Sequence, residues 1–544
     1  MSEKLSIEES PAPPPPETST SQEINHDLHH ANDFIDLKNT LSKREKWFIV
    51  ILIASSAFFS PFTANIYFPA IPTIARAFKK PIELINLSVT VYVVLQGTSP
   101  MFWGTMSDNM GRRPIAAACL LLLILSCVGL ALVPASAYWL LMLLRCIQAA
   151  GSASTLAIGE SFGTINLGAG VISDISTPAE RGGFYGVYAL GPMAGPALGP
   201  VLGGILTQGL GWRAIFWFLC IAVSLCLVVL LLFLPETLPT RQSPQSGLKI
   251  LYKPVIPIIG LKPSIIEPST PPKIATVALA RKFQNPLLIF GRYNILLLLV
   301  INATSFAVFF GIVTSLSILF ERTYPFLNEL QIGFCFLSAG GTMAGGTGII
   351  GRILDWRYKV EKNRLRRRLH DVGELEKRLG EESVKEVDKL PEFPLERARL
   401  SFLPASIFVM AGCTAGYGWS LQFGANLAVP LILQAFIGLV CMAVMNATTT
   451  LMIDLAPGQG SAVQACSNFV RCGLSAVVIT IIQPIINGIG VGWTYVLFAG
   501  FVLTSLPWFY LEIRLGPRWR AIAPGSKSST SDTTRKGELV SENP

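Results

Sequence analysis

The stretch Gly104-Thr-Met-Ser-Asp108-Asn-Met-Gly111-Arg112-Arg113-Pro114 joins two long apolar segments of the chain. It is too short to form a domain and too charged to lie in lipid. It therefore predicts a tight turn between two helices that enter and leave the same membrane face. Its two glycines permit tight backbone geometry and close helix contact. Asp108 is placed to cap a helix or to pair with an arginine, and the two arginines indicate a cytoplasmic turn.

A similar motif follows a later apolar segment, Gly351-Arg352-Ile353-Leu354-Asp355-Trp356-Arg357. One motif that occurs in each half of a membrane chain predicts a two-fold structural repeat. We assign six residues of the two motifs to cytoplasmic gating loops: Gly104, Asp108, Gly111, Arg112, Arg113 and Asp355.

The composition is typical of a membrane protein. Of the 544 residues, 51% are hydrophobic and 14% are charged, whereas soluble domains carry about a quarter charged residues. The net charge is +9. The basic residues are divided among several loops and are not gathered on one face, which argues against a nucleic-acid partner. A polytopic protein in a lipid bilayer explains this balance.

Cysteine and histidine positions give no indication of a metal site. All ten cysteines lie in apolar segments without CxxC spacing, as expected of small buried hydrophobic residues. All four histidines lie in polar regions, which excludes an evident histidine relay inside the membrane. We therefore expect neither a metal ion nor another cofactor.

Twelve segments have the roughly 20 apolar residues that a helix needs to cross a bilayer. They are 47–69, 84–103, 115–134, 137–163, 183–208, 213–234, 293–318, 331–352, 400–420, 427–452, 462–486 and 491–513. The sequence thus predicts an all-α membrane protein with twelve transmembrane helices in two pseudo-symmetric six-helix bundles. The bundles are expected at 46–235 and 291–515.

The basic residues predict the orientation, because cytoplasmic loops carry an excess of lysine and arginine. Basic clusters before the first helix, after the second, between the sixth and seventh and after the eighth fall on one face. Both termini are then cytoplasmic, although Arg76, Lys79 and Lys80 on the other face run against the pattern. The remaining segments are predicted as a disordered tail (1–45), a linker (236–290), a partly helical insert (353–399) and a second tail (516–544).

The predicted fifth helix carries small residues at four-residue spacing. Gly191, Gly195, Gly199 and Gly203 share one face and allow a neighbouring helix to approach closely. The interleaved Pro192, Pro196 and Pro200 remove backbone donors and bend the helix. Simple packing of a kinked helix and a role in gating are both compatible with this pattern.

Two arginines lie inside apolar segments, where an unpaired charge is unfavourable by roughly 2.5–3.5 kcal/mol on insertion scales. Arg145 is two turns into the fourth helix with Gln148 on the same face, and Arg471 in the eleventh follows Asn468 by three residues. A structural or snorkelling arginine is the alternative. We assign Arg145, Gln148, Asn65 and Arg471 to a substrate and proton pathway.

Several blocks in a fixed order carry a family resemblance: residues 65–72, 104–114, 145–153, 174–182, 191–204 and 234–237. On these blocks the chain resembles a major facilitator superfamily transporter. It is most similar to the fungal drug:proton antiporters with twelve spans, the branch with quinidine-resistance-type pumps and citrate-exporter-like proteins. The resemblance implies a proton-coupled exporter of small organic solutes that works by alternating access. It implies the plasma membrane as the location, with the vacuolar membrane as the alternative. It also ties the fifth-helix motif to export. We expect a monomer.

The substrate class stays open between two subclasses. A multidrug pump would have a broad aromatic cavity, for which Phe58, Phe59, Phe62, Tyr67, Phe306, Phe309 and Phe310 are candidates. A specific organic-acid exporter would have a basic one, which the two arginines and the lack of a deep carboxylate favour. A non-transporting sensor is a further alternative. A membrane enzyme is not expected, because the chain has no histidine cluster, paired intramembrane carboxylates or activated serine motif.

The fourth helix departs from the family pattern. That pattern runs from residue 159 almost directly into residue 169, whereas residues 160–168 stand between them here. Nine extra residues in a continuous helix would add about 13 Å. We interpret them as a tolerated insertion that bulges at the cytoplasmic end or as an imperfect gene sequence.

Overall fold

The computed structural model describes residues 42–156, 181–234, 286–371, 394–456 and 460–522, and all regular structure within them is helical. A bilayer offers no water to unpaired backbone groups, so an apolar chain satisfies them inside helices. The long helices are α1 (Lys43–Asn65), α2 (Ile82–Met110), α3 (Arg112–Leu132), α4 (Tyr138–Leu156), α5 (Arg181–Leu210), α6 (Arg213–Phe233), α7 (Tyr293–Thr323), α8 (Glu329–Asp371), α9 (Leu403–Gln422), α10 (Ala428–Leu455), α11 (Gly460–Ile489), α12 (Val491–Leu503) and α13 (Ser505–Ile522). Short helices cover Ile71–Phe78 and Leu395–Leu400.

Eleven helical segments within these ranges are long and apolar enough to cross a membrane. α4 is packed against α2 and α3 and completes the twelve helices in chain order. α13 continues the twelfth segment after a break at Thr504.

The helix contacts repeat with an offset of six helices. In the first half α1 packs on α4 and α5, α3 packs on α4 and α6, and α2 packs on α4. In the second half α7 packs on α10 and α11, α9 packs on α10 and α12, and α8 packs on α10. The halves meet along two extensive seams, α2 with α11 and α5 with α8. The two seams are equivalent, because the offset relates α2 to α8 and α5 to α11. The fold is therefore a pair of pseudo-symmetric bundles.

One face of α5 lies directly on the backbone of α1. It consists of every fourth residue: Gly191, Gly195, Gly199 and Gly203. A Cβ added at Gly195 would lie 2.7 Å from the backbone nitrogen of Phe62, and one added at Gly199 would lie 3.0 Å from that of Ile66. No side chain larger than hydrogen fits between these backbones without displacing one of them.

A second face of α5 lies on α8 and forms one of the two seams. A Cβ added at Gly333 of α8 would lie 2.6 Å from the carbonyl oxygen of Pro200, and one at Gly340 would lie 2.7 Å from that of Pro196. Gly204 approaches the start of α8 in the same way. Because lipid provides little hydrophobic drive between helices, such close packing is what holds the halves together here.

The prolines of α5 change its hydrogen bonding on one side. Pro192, Pro196 and Pro200 have no N–H, so the carbonyls of Tyr188, Pro192 and Pro196 lose their usual partner four residues ahead. Three successive turns of α5 therefore carry carbonyl groups that the helix itself does not pair in the usual way.

The α2–α11 seam is antiparallel and contains a close approach near its middle. A Cβ added at Gly97 would lie 2.6 Å from the Cβ of Cys472. Two turns further along, the hydroxyl groups of Thr90 and Thr480 are 3.0 Å apart. This seam thus combines a small-residue contact with a polar contact.

The bundle has two end faces, a basic face and an opposite face. The basic face is the one where α1 begins and where Arg112 and Arg113 start α3, and the opposite face is the one where α1 ends and α8 begins. On the opposite face, polar side chains join the two halves. Arg76 lies 3.3 Å from Glu321 and 3.4 Å from Glu329, and Asn487 donates to Glu83 at 2.8 Å. These pairs explain why a basic residue occurs in the first loop of that face.

The predicted turn at 104–114 is mostly helix. α2 extends to Met110, and only Gly111 separates it from Arg112, the first residue of α3. Gly111 has φ 109° and ψ 152°, a backbone conformation that glycine adopts without steric penalty. The expectation of a loop was wrong because polar residues also occur where a helix leaves the lipid.

The eighth helix is longer than its apolar segment. The sequence predicted an end at residue 352, whereas α8 continues to Asp371. Residues beyond 352 form helix outside an apolar environment, with an Arg364–Glu361 ion pair at 3.0 Å one turn apart. The expected helix in the 353–399 insert is thus a continuation of α8, and residues 372–393 lie outside the described residues. Residues 160–168 also lie outside them.

The α5–α8 seam gives a matched pair of substitutions on one helix. We expect Gly333→Ala to lower stability by about 1–3 kcal/mol, because the new methyl group meets a backbone carbonyl that cannot move alone. Gly345→Ala is the control, since a Cβ there meets nothing within 4 Å. Thermal unfolding of the purified proteins in detergent measures both. Equal unfolding midpoints for the two variants would contradict this account of the seam.

Candidate functional site

A cavity of about 150 Å³ lies between the two halves. Helices of both halves line it, with the following residues: Pro61, Ala64, Asn65, Val93, Gln96, Pro192, Met193, Pro196, Phe306, Phe309, Phe310, Met343, Ala344, Met442, Met445, Asn468, Arg471 and Cys472. Both seams therefore border the cavity, and any movement of one half relative to the other changes its shape.

The polar end of the cavity is built around Arg471 on α11. Its Cζ lies 4.6 Å from the centroid of the Phe306 ring, and its Nη2 donates to Oδ1 of Asn468 at 2.9 Å. Nδ2 of Asn468 donates in turn to the carbonyl oxygen of Gln96, in the other half, at 3.2 Å. Arg471 is the one charged residue among the described residues that line the cavity.

The rest of the cavity is apolar. Phe306 and Phe310 are stacked with 5.4 Å between ring centroids, and Phe309 lies beside them. Four methionines from three helices, α5, α8 and α10, complete the lining: Met193, Met343, Met442 and Met445. Methionine is flexible and polarizable, so this wall adapts to ligands of different shape.

Six of the seven aromatic candidates divide into two groups, and Tyr67 lies apart, against Arg145. The phenylalanines of α7 line the cavity, whereas Phe58, Phe59 and Phe62 of α1 pack on one another. Asn65 is the one residue of the predicted pathway in α1, and it lines the cavity. Its Nδ2 donates to the carbonyl oxygen of Pro61, in its own helix, at 2.7 Å.

Arg145 occupies an aromatic box inside the first half. Its Cζ lies 4.1 Å from the ring centroid of Tyr67 and 4.2 Å from that of Tyr92, so two ring faces enclose the guanidinium group. Nη1 donates to Oε1 of Gln148 at 2.6 Å, and Nε2 of Gln148 faces the sulfur of Cys127 at 3.4 Å. The side chain is 1% exposed.

The box is held in place by further hydrogen bonds. The hydroxyl groups of Tyr67 and Tyr92 lie 3.0 Å and 2.7 Å from those of Ser88 and Ser152. In the described part of the chain, Nε and Nη2 of Arg145 have no hydrogen-bond partner, and the tyrosine faces stabilise the charge instead. Neither Arg145 nor Gln148 lines the cavity in this conformation.

The arginines at the start of α3 are packed against the bundle. Arg112 and Arg113 are buried, and Nη2 of Arg113 donates to the carbonyl oxygen of Leu231 on α6 at 2.5 Å. The sequence alone indicated two cytoplasmic loop charges, but one of them caps the last turn of a neighbouring helix. Of the other motif residues, Gly104 is buried and Asp355 is exposed. Asp108 belongs to α2, and its side chain is outside the description.

Two buried carboxylates lie at the basic face and were missed in the sequence. Glu396 in Leu395–Leu400 and Glu512 in α13 are fully buried, and a Cβ added at Gly516 would contact both. Arg520 lies 3.8 Å from Glu396. Within the described residues, neither carboxylate accepts a hydrogen bond. They escaped notice because Glu396 precedes the ninth apolar segment and Glu512 ends the twelfth, where acidic residues are expected in water.

The described ranges contain no group of three His, Cys, Asp or Glu side chains that would hold a metal ion. Residues 53–479 match the Major Facilitator Superfamily. The chain belongs to this superfamily. It is a transporter of small organic solutes rather than an enzyme.

Fungal relatives are similar over nearly the whole transporter. Citrate exporter 1 of Aspergillus niger is 33% identical over 93% of this chain and 91% of its own length. Quinidine resistance protein 1 of Saccharomyces cerevisiae is 32% identical over 92% of this chain and 89% of its own length. These relatives confirm the predicted family and the transport function.

Solved structures share the fold of the transporter. A bacterial homologue of the human lysosomal transporter Spinster, in an inward-facing and unoccupied conformation, matches with a TM-score of 0.59 at 13% identity over 89% of this chain. A D-xylose–proton symporter matches with a TM-score of 0.59 at 13% identity over 85% of this chain. At this identity the likeness concerns the fold alone, and it confirms the predicted all-α membrane fold.

The aromatic box predicts an asymmetry between two arginines of this transporter. Arg145→Lys keeps the charge but cannot contact both tyrosine faces and Gln148, so we expect a loss of about 2 kcal/mol or more. Arg213→Lys is the control, because Arg213 contacts Trp212 at 4.3 Å from an exposed position. Thermal unfolding in detergent distinguishes them. Similar midpoints for both variants would show that the box does not stabilise the fold.

The buried carboxylates generate a prediction of opposite sign. We expect Glu512→Gln to raise the unfolding midpoint, because burial without a hydrogen bond disfavours a carboxyl group that ionises in the unfolded chain, whereas the amide stays neutral. Asp355→Asn at an exposed position is the control, and we expect it to leave the midpoint unchanged. A lower midpoint for Glu512→Gln would mean that the charged form of Glu512 stabilises the packing of α13.

Proposed function

We propose that this transporter exports small organic anions through the cavity between its halves. The observation that carries the proposal is the charge of the cavity: Arg471 is its one charged lining residue, and no carboxylate is found among the described residues around it. A buried guanidinium group attracts an anion and repels a cation, because the local dielectric is low. The similarity to Citrate exporter 1 of Aspergillus niger supports an organic acid as cargo.

Each residue of the pathway receives a role in this proposal. Arg471 binds the anionic group, Asn468 positions Arg471, and Asn65 adds an amide to the polar end. Arg145, with Gln148, provides a fixed positive charge in the helix layer behind the cavity wall, next to α2. Its field favours anions in the cavity without direct contact.

Transport is proposed to follow alternating access, in which the two bundles rock about the cavity. The pairs of Arg76 with Glu321 and Glu329 keep the opposite face closed, so the cavity of this conformation is reached from the basic face. The glycine and proline faces of α5 guide the movement, because α5 contacts both α1 and α8. The motif residues Gly104, Asp108, Gly111 and Asp355 act at the inner gate.

The orientation follows from the charge distribution. We propose that the basic face is cytoplasmic, that both termini lie in the cytoplasm, and that the monomer resides in the plasma membrane. Residues 1–45, 236–290, 353–399 and 516–544 then form the cytoplasmic segments around the bundles at 46–235 and 291–515. A proton gradient drives export, in keeping with a relative named as an antiporter in Candida albicans.

A second candidate is the export of cationic drugs. The phenylalanine and methionine wall of the cavity favours it, as does the similarity to Quinidine resistance protein 1 of Saccharomyces cerevisiae. The two candidates make opposite predictions about Arg471, since a cation gains nothing from a guanidinium group in its site.

Efflux from yeast that lacks its own exporters tests the proposal. Cells expressing the chain are loaded with radiolabelled monocarboxylic acids, citrate and related acids, and cationic drugs, with and without an uncoupler. We expect acid efflux that the uncoupler abolishes and that Arg471→Gln lowers about 10-fold or more, since a hydrogen bond to a charged group contributes roughly 1.5–3 kcal/mol. Arg366→Gln, at an exposed position on α8, is the control for surface expression and loss of charge. Efflux of cations alone, insensitive to Arg471→Gln, would instead favour the drug exporter.

A further inference from the structure

Resting on the proposed function, we infer that the cavity is built for an anion with one carboxylate and an apolar body. A tricarboxylate such as citrate does not fit its charge distribution. The ligand that fits the cavity is determined by the number of charges the cavity neutralises and by the apolar residues around them.

The cavity neutralises one negative charge. The planar guanidinium group of Arg471 matches one carboxylate through paired N–H donors. The other polar side chains of the lining, which include Asn65, Gln96 and Asn468, are neutral amides. Nδ2 of Asn65 and Nδ2 of Asn468 already donate to backbone carbonyl groups. Among the described residues, a second carboxylate would therefore find no cation in the cavity lining.

The second arginine cannot serve as that cation in this conformation. Arg145 is enclosed by Tyr67 and Tyr92 and is 1% exposed. Its positive charge acts on the cavity only through the protein, without a hydrogen bond to a ligand. An unpaired buried ion is unfavourable by several kcal/mol even after relaxation, so each additional carboxylate weakens binding strongly.

The apolar lining defines the rest of the ligand. The ring of Phe306 stands next to Arg471 and stacks on that of Phe310, so a ligand bound by its carboxylate has its next atoms against aromatic carbon. The four methionines adapt to that body and do not hydrogen-bond to it strongly. A cavity of about 150 Å³ is the size of an engineered apolar cavity that binds benzene. A ring on a short alkyl chain that ends in one carboxylate matches this lining, with the carboxylate at Arg471.

Binding to the purified full chain in lipid nanodiscs tests the inference. Four probes differ in charge and in apolar body. Phenylbutyrate has one carboxylate, phenylsuccinate has a second carboxylate, phenylbutylamine has the opposite charge, and citrate has no apolar body. We expect calorimetry to show phenylbutyrate binding about 10-fold or more tighter than each of the others, since each uncompensated buried charge is strongly unfavourable. The selectivity of the unaltered protein is itself a test, so the result does not depend on a variant that folds.

Arg471→Gln extends the test to a single residue. We expect it to weaken phenylbutyrate binding about 10-fold or more and to abolish the preference over phenylbutylamine. Arg366→Gln should leave both unchanged. If Arg471→Gln still preferred phenylbutyrate over phenylbutylamine, the assignment of this residue as the carboxylate site would be overturned.

The alternative outcomes separate the inference from the proposed function. Citrate or phenylsuccinate binding as tightly as phenylbutyrate would overturn the inference and leave anion export intact. Phenylbutylamine binding alone would overturn both. Binding of none of the four would also overturn the inference, because phenylbutyrate represents the class it names, and acid efflux from yeast would then decide the proposed function separately.

Discussion

Direct contact between helix backbones is the constraint on which the rest of this structure depends. In lipid, helices gain little from burying apolar surface against each other, so close approach and packing hold them together. α5 provides this contact on two sides, with glycines on α1 and with Pro196, Pro200 and Gly204 on α8. The same helix places Pro192, Met193 and Pro196 on the cavity. Packing between the halves and the shape of the cavity thus both depend on one helix.

The two intramembrane arginines show how surroundings decide the role of a charge. Arg145 lies between two tyrosine faces and a glutamine in the core of one bundle, where no solute reaches it. Arg471 also contacts an aromatic face, but it lies at the junction of the bundles and borders the cavity. The free-energy cost of placing a charge inside the membrane is therefore offset by packing against aromatic rings at Arg145 and by the polar end of the cavity at Arg471.

Much of this arrangement is predictable from the sequence because it depends on local properties. Apolar length gave the twelve helices, and four-residue glycine spacing gave the close-packed face of α5. Other features depend on tertiary contacts that no local pattern contains. Local sequence patterns predict the same role for Arg145 and Arg471, a loop position for Arg113 and an end of the eighth helix at residue 352. Only the packed bundle gives the two arginines different surroundings, brings Arg113 to Leu231 and buries Glu512.

The hydrogen bond from Asn468 to the carbonyl oxygen of Gln96 crosses from one bundle to the other. The residue that orients Arg471 is therefore itself anchored in the other half. In the proposed alternating-access cycle, separation of the bundles along α2 and α11 breaks this hydrogen bond, and the position of Arg471 is then set by its own half alone, including the ring of Phe306. Under the proposed anion export, affinity for the solute is then a property of one arrangement of the halves, and the movement that opens the path for the solute also weakens its binding.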